Sequence, residues 1–354
     1  MTEPVLITGG AGFIGCHLAA ALLGAGRTVV VVDSLHPQVH RGAGLPVALP
    51  ASATFVPGDV TSAELWRGLL RVHQPRVVVH LAAETGTGQS LTEATRHATA
   101  NVVGTTQMLD AMAVAGLVPE QFVLASSRAV YGDGAWVDDD GGVHRPLGRS
   151  AEMLERGQWD YADATGRPLR PVPSSAASTA PMPVSVYGAT KLTQEHVLAC
   201  WAEAFGSAVT VLRLQNVFGP GQAVDNAYTG VLTFFAKQAL AGSPLDVYED
   251  GMIVRDFVHV ADVVEAMTLA VGRPEPGVRT LDIGSGAPST ILAAAEAITK
   301  ATGAPPLTIS GRFRHGDVRA ASCTIDEASA RLDWAPTRPF DQHVDELLAW
   351  VGSQ

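Results

Sequence analysis

The chain has little cysteine, little net positive charge and few aromatic residues, and each shortage narrows what it can be. Only Cys16, Cys200 and Cys323 occur in 354 residues. An odd number at wide spacing excludes a disulfide framework and any paired-cysteine metal or redox motif, and it predicts a reduced, cytoplasmic protein. Lys and Arg number 24 against 35 Asp and Glu, a net charge of -11. That balance argues against nucleic acid or an anionic membrane as a partner, but a few well-placed arginines can still hold an anionic small molecule. No uncharged apolar run reaches the roughly 18 residues that cross a bilayer. The opening Met1-Thr2-Glu3-Pro4 has no basic n-region, so no secretory leader is expected.

In abundance are hydrophobic residues (47%), 36 glycines and 22 prolines, against 6% aromatics. This composition suits an α/β chain rich in Ala, Val and tight turns, long enough for one large domain or two lobes sharing a core. Apolar runs at Val5–Thr8, Thr28–Asp33, Thr54–Pro57, Val77–Leu81 and Phe122–Ser126 read as strands. Helical patterns lie between them, near Gly12–Ala25, Ser62–His73 and Ala100–Ala115. The alternation predicts a Rossmann-type, doubly wound parallel sheet. The stretch 133–183 breaks the pattern with Gly, Pro, Asp and Ser; it reads as an insertion that covers a site or as a floppy surface loop. A long helix is expected from Ser185 to Phe205, a strand at Val209–Leu214 and a helix near Gly230–Ala241. We expect residues 1–215 to form a dinucleotide-binding domain. Residues 216–354 are expected to form a smaller, interleaved substrate lobe with some segments returning to the core.

The first strand runs into Thr8-Gly9-Gly10-Ala11-Gly12-Phe13-Ile14-Gly15. Glycines at positions 9, 12 and 15 let the turn close, bring backbone N–H groups to a pyrophosphate and let the helix pack on the strand. Gly9, Gly12, Phe13, Ile14 and Gly15 are therefore cofactor candidates. Asp33 ends the second strand, where a carboxylate meets a ribose 2′-OH and repels a 2′-phosphate, so NAD is favoured over NADP. Asp59 and Val60, after the third strand, are candidates for the adenine end. Leu81-Ala82-Ala83 closes the fourth with small side chains where the cofactor must come close.

Tyr187-Gly188-Ala189-Thr190-Lys191 places a tyrosine and a lysine on one helix face. An ammonium beside a phenol lowers its pKa from about 10, which lets the tyrosine exchange a proton with a hydroxyl near neutrality. Ser127 follows the fifth strand at the carboxyl edge of the sheet, the ligand-binding edge of such folds. No His/Cys/Asp cluster has metal spacing. His17 reads as packing or surface, His80 as a satisfied core histidine, and Trp159 and Tyr161 as a hydrophobic anchor for the insertion.

With these residues in view, the chain resembles the extended short-chain dehydrogenase/reductase family along nearly its whole length. Thr8–Gly15, His80–Ala83, Ser126–Gly132, Tyr187–Lys191, Arg213–Gly221, Arg255–Val260 and Arg314–Asp317 carry the likeness. Within the family it is most similar to bacterial dTDP-L-rhamnose 4-epimerases, in Ala83–Ser90, Ser126–Gly132, Leu212–Gly221 and the long insertion. Here the insertion lacks the paired cysteines associated with that subgroup. The resemblance implies Ser127, Tyr187 and Lys191 as catalytic residues, the last two also touching the cofactor. It implies substrate contacts from Thr85, Gly86, Ser126, Ser127, Arg128, Asn216, Arg255, Arg314 and Asp317, with His315 a minor one. Related 4,6-dehydratases carry Asp-Glu where this chain has Arg128-Ala129, and decarboxylases a Glu at position 129. Alanine moves no proton, so the resemblance implies an NAD-dependent 4-epimerase of a dTDP- or UDP-hexose. The alternatives are a 4-keto-6-deoxy sugar reductase and a dinucleotide-sensing binding protein. It also implies a homodimer built on the helices at 100–115 and 187–205.

Overall fold

The computed structural model describes residues 4–40, 44–46, 48–224 and 230–354. The first three residues, considered above for a leader, lie outside them. Seven parallel strands form the central sheet: β1 (Val5–Thr8), β2 (Val29–Asp33), β3 (Thr54–Pro57), β4 (Val77–His80), β5 (Gln121–Ser127), β6 (Ala208–Leu214) and β7 (Val278–Ile283). Their order is β7-β6-β5-β4-β1-β2-β3. The order reverses between β1 and β4, which opens a crevice at their carboxyl ends.

The inner strands β1, β2 and β4 are apolar along nearly their whole length because both faces are covered. Side chains alternate as the pleat requires. Val5, Ile7, Val29, Val31, Val77 and Val79 enter one core, with Leu18 and Leu22 of helix α1 (Phe13–Gly24). Leu6, Val30, Val32, Val78, Phe122 and Leu124 enter the other. That second core is closed by helices α2 (Ala63–His73), α3 (Gly104–Ala115) and α4 (Val186–Phe205), through Trp66, Met108, Met112 and Leu198. A π-helical turn over Thr99–Val103 precedes α3, so the predicted helix at 100–115 is regular only from Gly104.

Helix α5 (Val231–Leu240), α6 (Val260–Gly272), α7 (Ile291–Thr302) and α8 (Phe340–Gly352) follow. Met267 and Ala270 of α6 join the core of α1, while α5, α7 and α8 build a separate one around Phe235, Ile298 and Leu347. The later third of the chain thus contributes both to the sheet layers and to a core of its own.

The stretch 133–183 is ordered. Trp136 stands edge-on to Tyr161 at 4.9 Å between ring centroids and packs with Leu169 in a miniature core, beneath a three-stranded sheet formed by 135–137, 143–144 and 170–172. Tyr161 is the anchor expected of it, whereas Trp159 packs on Phe313 instead.

Candidate active site

The glycine turn leaves β1 and enters α1 with no room for side chains. Gly9 has φ +66°, and a Cβ on it would lie 2.7 Å from the Ala82 backbone nitrogen; one on Gly15 would lie 2.5 Å from Gly10 Cα. No side chain caps the start of α1, so its first-turn N–H groups are open to an anion. Asp33 is buried at the end of β2, and its carboxylate braces the turn, accepting from Ala11 N at 3.1 Å and Leu35 N at 2.9 Å. Asp59 is exposed and accepts from the Thr61 amide and hydroxyl at 2.9 and 2.8 Å, while Val60 beside it is buried. β4 stops at His80, one residue sooner than predicted, which leaves Leu81, Ala82 and Ala83 to wall the turn.

Tyr187 and Lys191 sit in the first turns of α4, started by Ser185, whose hydroxyl accepts from Gly188 N at 3.1 Å. Gly188 is obligatory: a Cβ there would come within 2.5 Å of the Ala129 carbonyl oxygen. This contact seats Tyr187 against Ser127 at the end of β5. Burial raises the Tyr187 phenol pKa, while its hydrogen bond with Ser127 and the charge of Arg128 oppose that rise. Lys191 is buried, which brings its pKa down to about 7 against the opposing pull of Glu195. Its ammonium donates to Gln194 Oε1 at 2.6 Å rather than facing the phenol alone.

Beyond this pair, Arg128, Ala129, Ser185 and Asp317 line a cleft. Arg128 Nε donates to Asn216 Oδ1 at 2.8 Å, and Arg255 Nη2 to Asp317 Oδ1 at 2.5 Å. Burial, and then the neighbouring Arg255, push the Arg128 pKa down to about 9, still charged at neutral pH. Two adjacent guanidiniums, with Asp317 and Asp133 the carboxylates that act on Arg128, line this side, and planar forks of this kind match phosphate oxygens.

A family model described as the NAD dependent epimerase/dehydratase family matches residues 5–284. The chain belongs to that family. It is 46% identical over 352 residues to a dTDP-L-rhamnose 4-epimerase of Burkholderia thailandensis, covering 99% of this chain and 96% of that one. Among solved structures it resembles the UDP-glucose 4-epimerase of Thermotoga maritima with UDP-glucose, at a TM-score of 0.78 and 27% identity. It also resembles that of Thermus thermophilus in complex with NAD, at 0.75 and 27%; both likenesses cover 99% of either chain.

For a member of this epimerase/dehydratase family, the glycine turn fits NAD: glycines at 9 and 15 let it close on Ala82 and Gly10, and the uncapped first turn of α1 leaves backbone N–H groups for a pyrophosphate. Ser127, Tyr187, Arg128, Asn216, Arg255 and Asp317 come together around one cleft. Others do not join them. Ser126, expected among the substrate ligands, points the opposite way: it is buried and its hydroxyl donates to Glu195, because neighbouring strand residues face opposite sides. Arg314 is exposed, its guanidinium 5.3 Å from the centre of the Tyr248 ring, and His315 is exposed beside it. Thr85 is exposed, while Gly86, at φ +105°, opens the short helix Thr87–Ser90.

Glu195, Arg213 and Gln194 are close to the site yet absent from the sequence expectations. Arg213 binds Glu195 through Nε and Nη2, at 3.0 and 2.7 Å, and donates to the Tyr131 hydroxyl at 2.9 Å. The signal was the spacing: Gln194 and Glu195 lie three and four residues past Lys191, on its own helix face.

Proposed function

We propose that the protein is an NAD-dependent nucleotide-sugar 4-epimerase, acting on a dTDP-linked 6-deoxyhexose of the L-rhamnose kind. The observation that carries the reading is the Ser127–Tyr187 pair at a cleft whose next residues are Arg128 and Ala129. One hydroxyl acid/base stands ready, and no carboxylate occupies the two positions where a dehydratase needs them. The likeness to the Burkholderia enzyme supports the choice of nucleotide and sugar.

Gly9, Gly12, Phe13, Ile14 and Gly15 would hold the NAD pyrophosphate and Asp33 a ribose. Asp59 and Val60 would meet the adenine end, and Leu81, Ala82 and Ala83 would line the close approach. Bound NAD supplies a hydride acceptor and donor for sugar C4. Tyr187 takes the proton of the 4-hydroxyl as that carbon is oxidised and returns it when the carbon is reduced on the other face. Ser127 holds the same oxygen in both states, and Lys191 supplies the positive charge that favours the phenolate. Arg128, Arg255 and Asn216 hold the diphosphate, and Asp317 a nucleoside hydroxyl. Residues 1–215 thus act as the cofactor half; 216–354 supply the substrate lobe, apart from α6 and β7, which belong to the sheet layers.

The assembly proposed is a homodimer through α3 and α4. Val114 and Phe205 are exposed on these helices, and Val197 and Trp201 are only partly buried. Light scattering should give twice the chain mass. No helix among the described residues is long and apolar enough to cross a membrane, all three cysteines are free, and a cytoplasmic enzyme is the reading they support.

The deciding experiment incubates the protein with dTDP-, UDP- and GDP-sugars, without added cofactor, and a substrate carrying deuterium at C4. An epimer that keeps its label supports the proposal, because the hydride never leaves the site. Label lost to water, or a 4-keto-6-deoxy product, overturns it. One-for-one oxidation of added NADH would make the protein a reductase.

A further inference from the structure

The catalytic lysine proposed above is one end of a buried polar chain that the reaction as described does not use. Thr8, His80, Thr105 and Gln194 are all fully buried. Thr8 Oγ1 accepts from Ala82 N at 3.2 Å and lies 2.7 Å from His80 Nδ1. His80 Nε2 lies 2.9 Å from Thr105 Oγ1, which also receives Gln194 Nε2 at 2.9 Å. Gln194 Oε1 accepts from Lys191 Nζ at 2.6 Å. The chain therefore runs from the wall of the glycine turn, through β1, β4 and α3, to α4.

The Gln194 amide can be oriented by elimination. Thr105 donates its own hydroxyl hydrogen to the Asn101 carbonyl at 2.6 Å, so its oxygen can only accept from the groups around it. The Gln194 amide must then turn its nitrogen toward Thr105 and its oxygen toward Lys191, which has only hydrogens to offer. His80 is uncharged, burial holding its pKa down to about 3 and the Lys191 ammonium adding to the effect. Its Nδ1 faces the Thr8 hydroxyl, and its Nε2 lies 2.9 Å from Thr105 Oγ1 and 3.1 Å from Gln194 Nε2. The Gln194 amide so oriented presents a neutral carbonyl dipole to the ammonium.

We propose that Gln194 is a positioning residue for the reaction: it holds the Lys191 ammonium in place and sets how firmly that lysine keeps its proton. The inference rests on Lys191 being the catalytic lysine. The titratable groups acting on it are Glu195 one turn after (itself paired with Arg213) and the uncharged His80, while Tyr187 precedes it by four residues on the same helix. Burial disfavours the ammonium, and the Gln194 oxygen counters that by bonding the charged form more strongly than the neutral amine. Without it the lysine loses its proton at lower pH.

The test uses two substitutions of opposite electrical sense in the NAD-loaded protein. Gln194→Met removes the acceptor; Gln194→Glu replaces it with a carboxylate. The reaction's alkaline limb should fall by about one pH unit in the first and rise by a similar amount in the second. KM should stay within about twofold, and kcat near neutrality should fall roughly tenfold in the Met variant. A second readout needs no turnover: phenolate absorbance titrated with pH, each protein against its own Tyr187→Phe partner. Tyr187 ionisation should become harder in Gln194→Met, where the ammonium is lost at lower pH; in Gln194→Glu the added carboxylate offsets the retained ammonium at the phenol, so that variant is read by its alkaline limb. Alkaline limbs that shift with the same sign in both variants, or not at all, overturn the proposal, since simple damage to packing has no electrical sign. If Gln194→Met does not fold, the isosteric Gln194→Glu decides alone. If the wild type epimerises nothing, the absorbance shifts still report on the lysine, so failure of the activity and failure of the positioning role are told apart.

Discussion

The central sheet and the insertion at 133–183 are held together by different physics. In the sheet, alternate residues of β1, β2, β4 and β5 fill two apolar cores, and the stabilisation comes from many small burials. The insertion has one cluster of its own, Trp136, Tyr161 and Leu169. What fixes it to the rest of the chain is charge. Arg149 Nη1 donates to Glu249 Oε2 at 2.7 Å with both side chains 1% exposed, and Arg149 Nη2 donates to the Asp317 carbonyl at 2.8 Å. Arg319 joins the same Glu249 at 3.1 Å and reaches Asp160 of the insertion at 2.7 Å. Ser174 exchanges backbone bonds with Ser322 and Thr324, 2.9 Å each. Apolar burial specifies a layer; buried ion pairs specify one partner, and they fail as a unit when a member is lost.

The largest effect should fall in the sheet half and be purely chemical. Tyr187→Phe removes the proton acceptor and should lower kcat by roughly 10²–10⁴-fold. The thermal midpoint should move little, because the ring still packs against Ser127 and Arg128. A large loss of stability beside the loss of activity would mean that the hydroxyl is structural.

The insertion should break in the opposite manner, with structure going first. Arg149→Met leaves the Glu249 carboxylate buried beside Arg319 alone, at a cost of about 3–5 kcal/mol. We expect faster proteolysis between 138 and 170, and a raised KM because the Asp317 segment loses its brace; NAD binding should be unchanged. Equal proteolysis of variant and wild type would show that the miniature core is sufficient without the ion pairs.

This contrast also explains what was legible beforehand. The strands, the glycine turn, Asp33 and the Tyr187/Lys191 pair carry local periods or fixed spacings, and the fold predicted from them is the fold observed. Arg149 and Glu249 are 100 residues apart, with no period between them, so no local pattern announces that pair. The insertion therefore read equally well as a cover or a floppy loop. Ser126 is a different kind of miss. Strand alternation, applied one residue further along β5, would have sent it into the core and left Ser127 alone at the cleft. Gln194 was equally readable from helix spacing, but a glutamine beside a lysine gives no chemical alarm.

A smaller effect tests whether Asp33 serves the cofactor as well as the turn it braces. Asp33→Ala should weaken NAD binding and reduce discrimination against NADP about tenfold, roughly 1.4 kcal/mol. Titration of both cofactors into stripped protein reads the ratio. If NAD and NADP affinities fall in parallel, Asp33 acts only on the turn, through Ala11 and Leu35.

The finest test lies at the seam between the two regions. Asp282 is the last but one residue of β7 in the sheet, and its carboxylate accepts from the Tyr131 hydroxyl at 2.8 Å and from the Ala176 amide of the insertion at 2.6 Å. Burial raises its pKa from 3.8 to about 6, the hydrogen bonds from Tyr131 and Ala176 only partly opposing the rise. The native state therefore binds this proton more tightly than the unfolded chain does. Sign follows directly: the group favours folding most at low pH, and that contribution is lost as pH rises from about 4 to about 6, then stays constant. The total is on the order of 2–3 kcal/mol. Asp282→Asn keeps an acceptor for Ala176 but cannot ionise, so it should remove this one slope. The quantity to measure is the difference in unfolding free energy between wild type and Asp282→Asn across pH 4 to 7. It should move in favour of the variant through that window and level off above it. A difference independent of pH would mean that Asp282 stays charged throughout, its hydrogen bonds outweighing burial, and that the seam is held by an ion rather than by a shared proton.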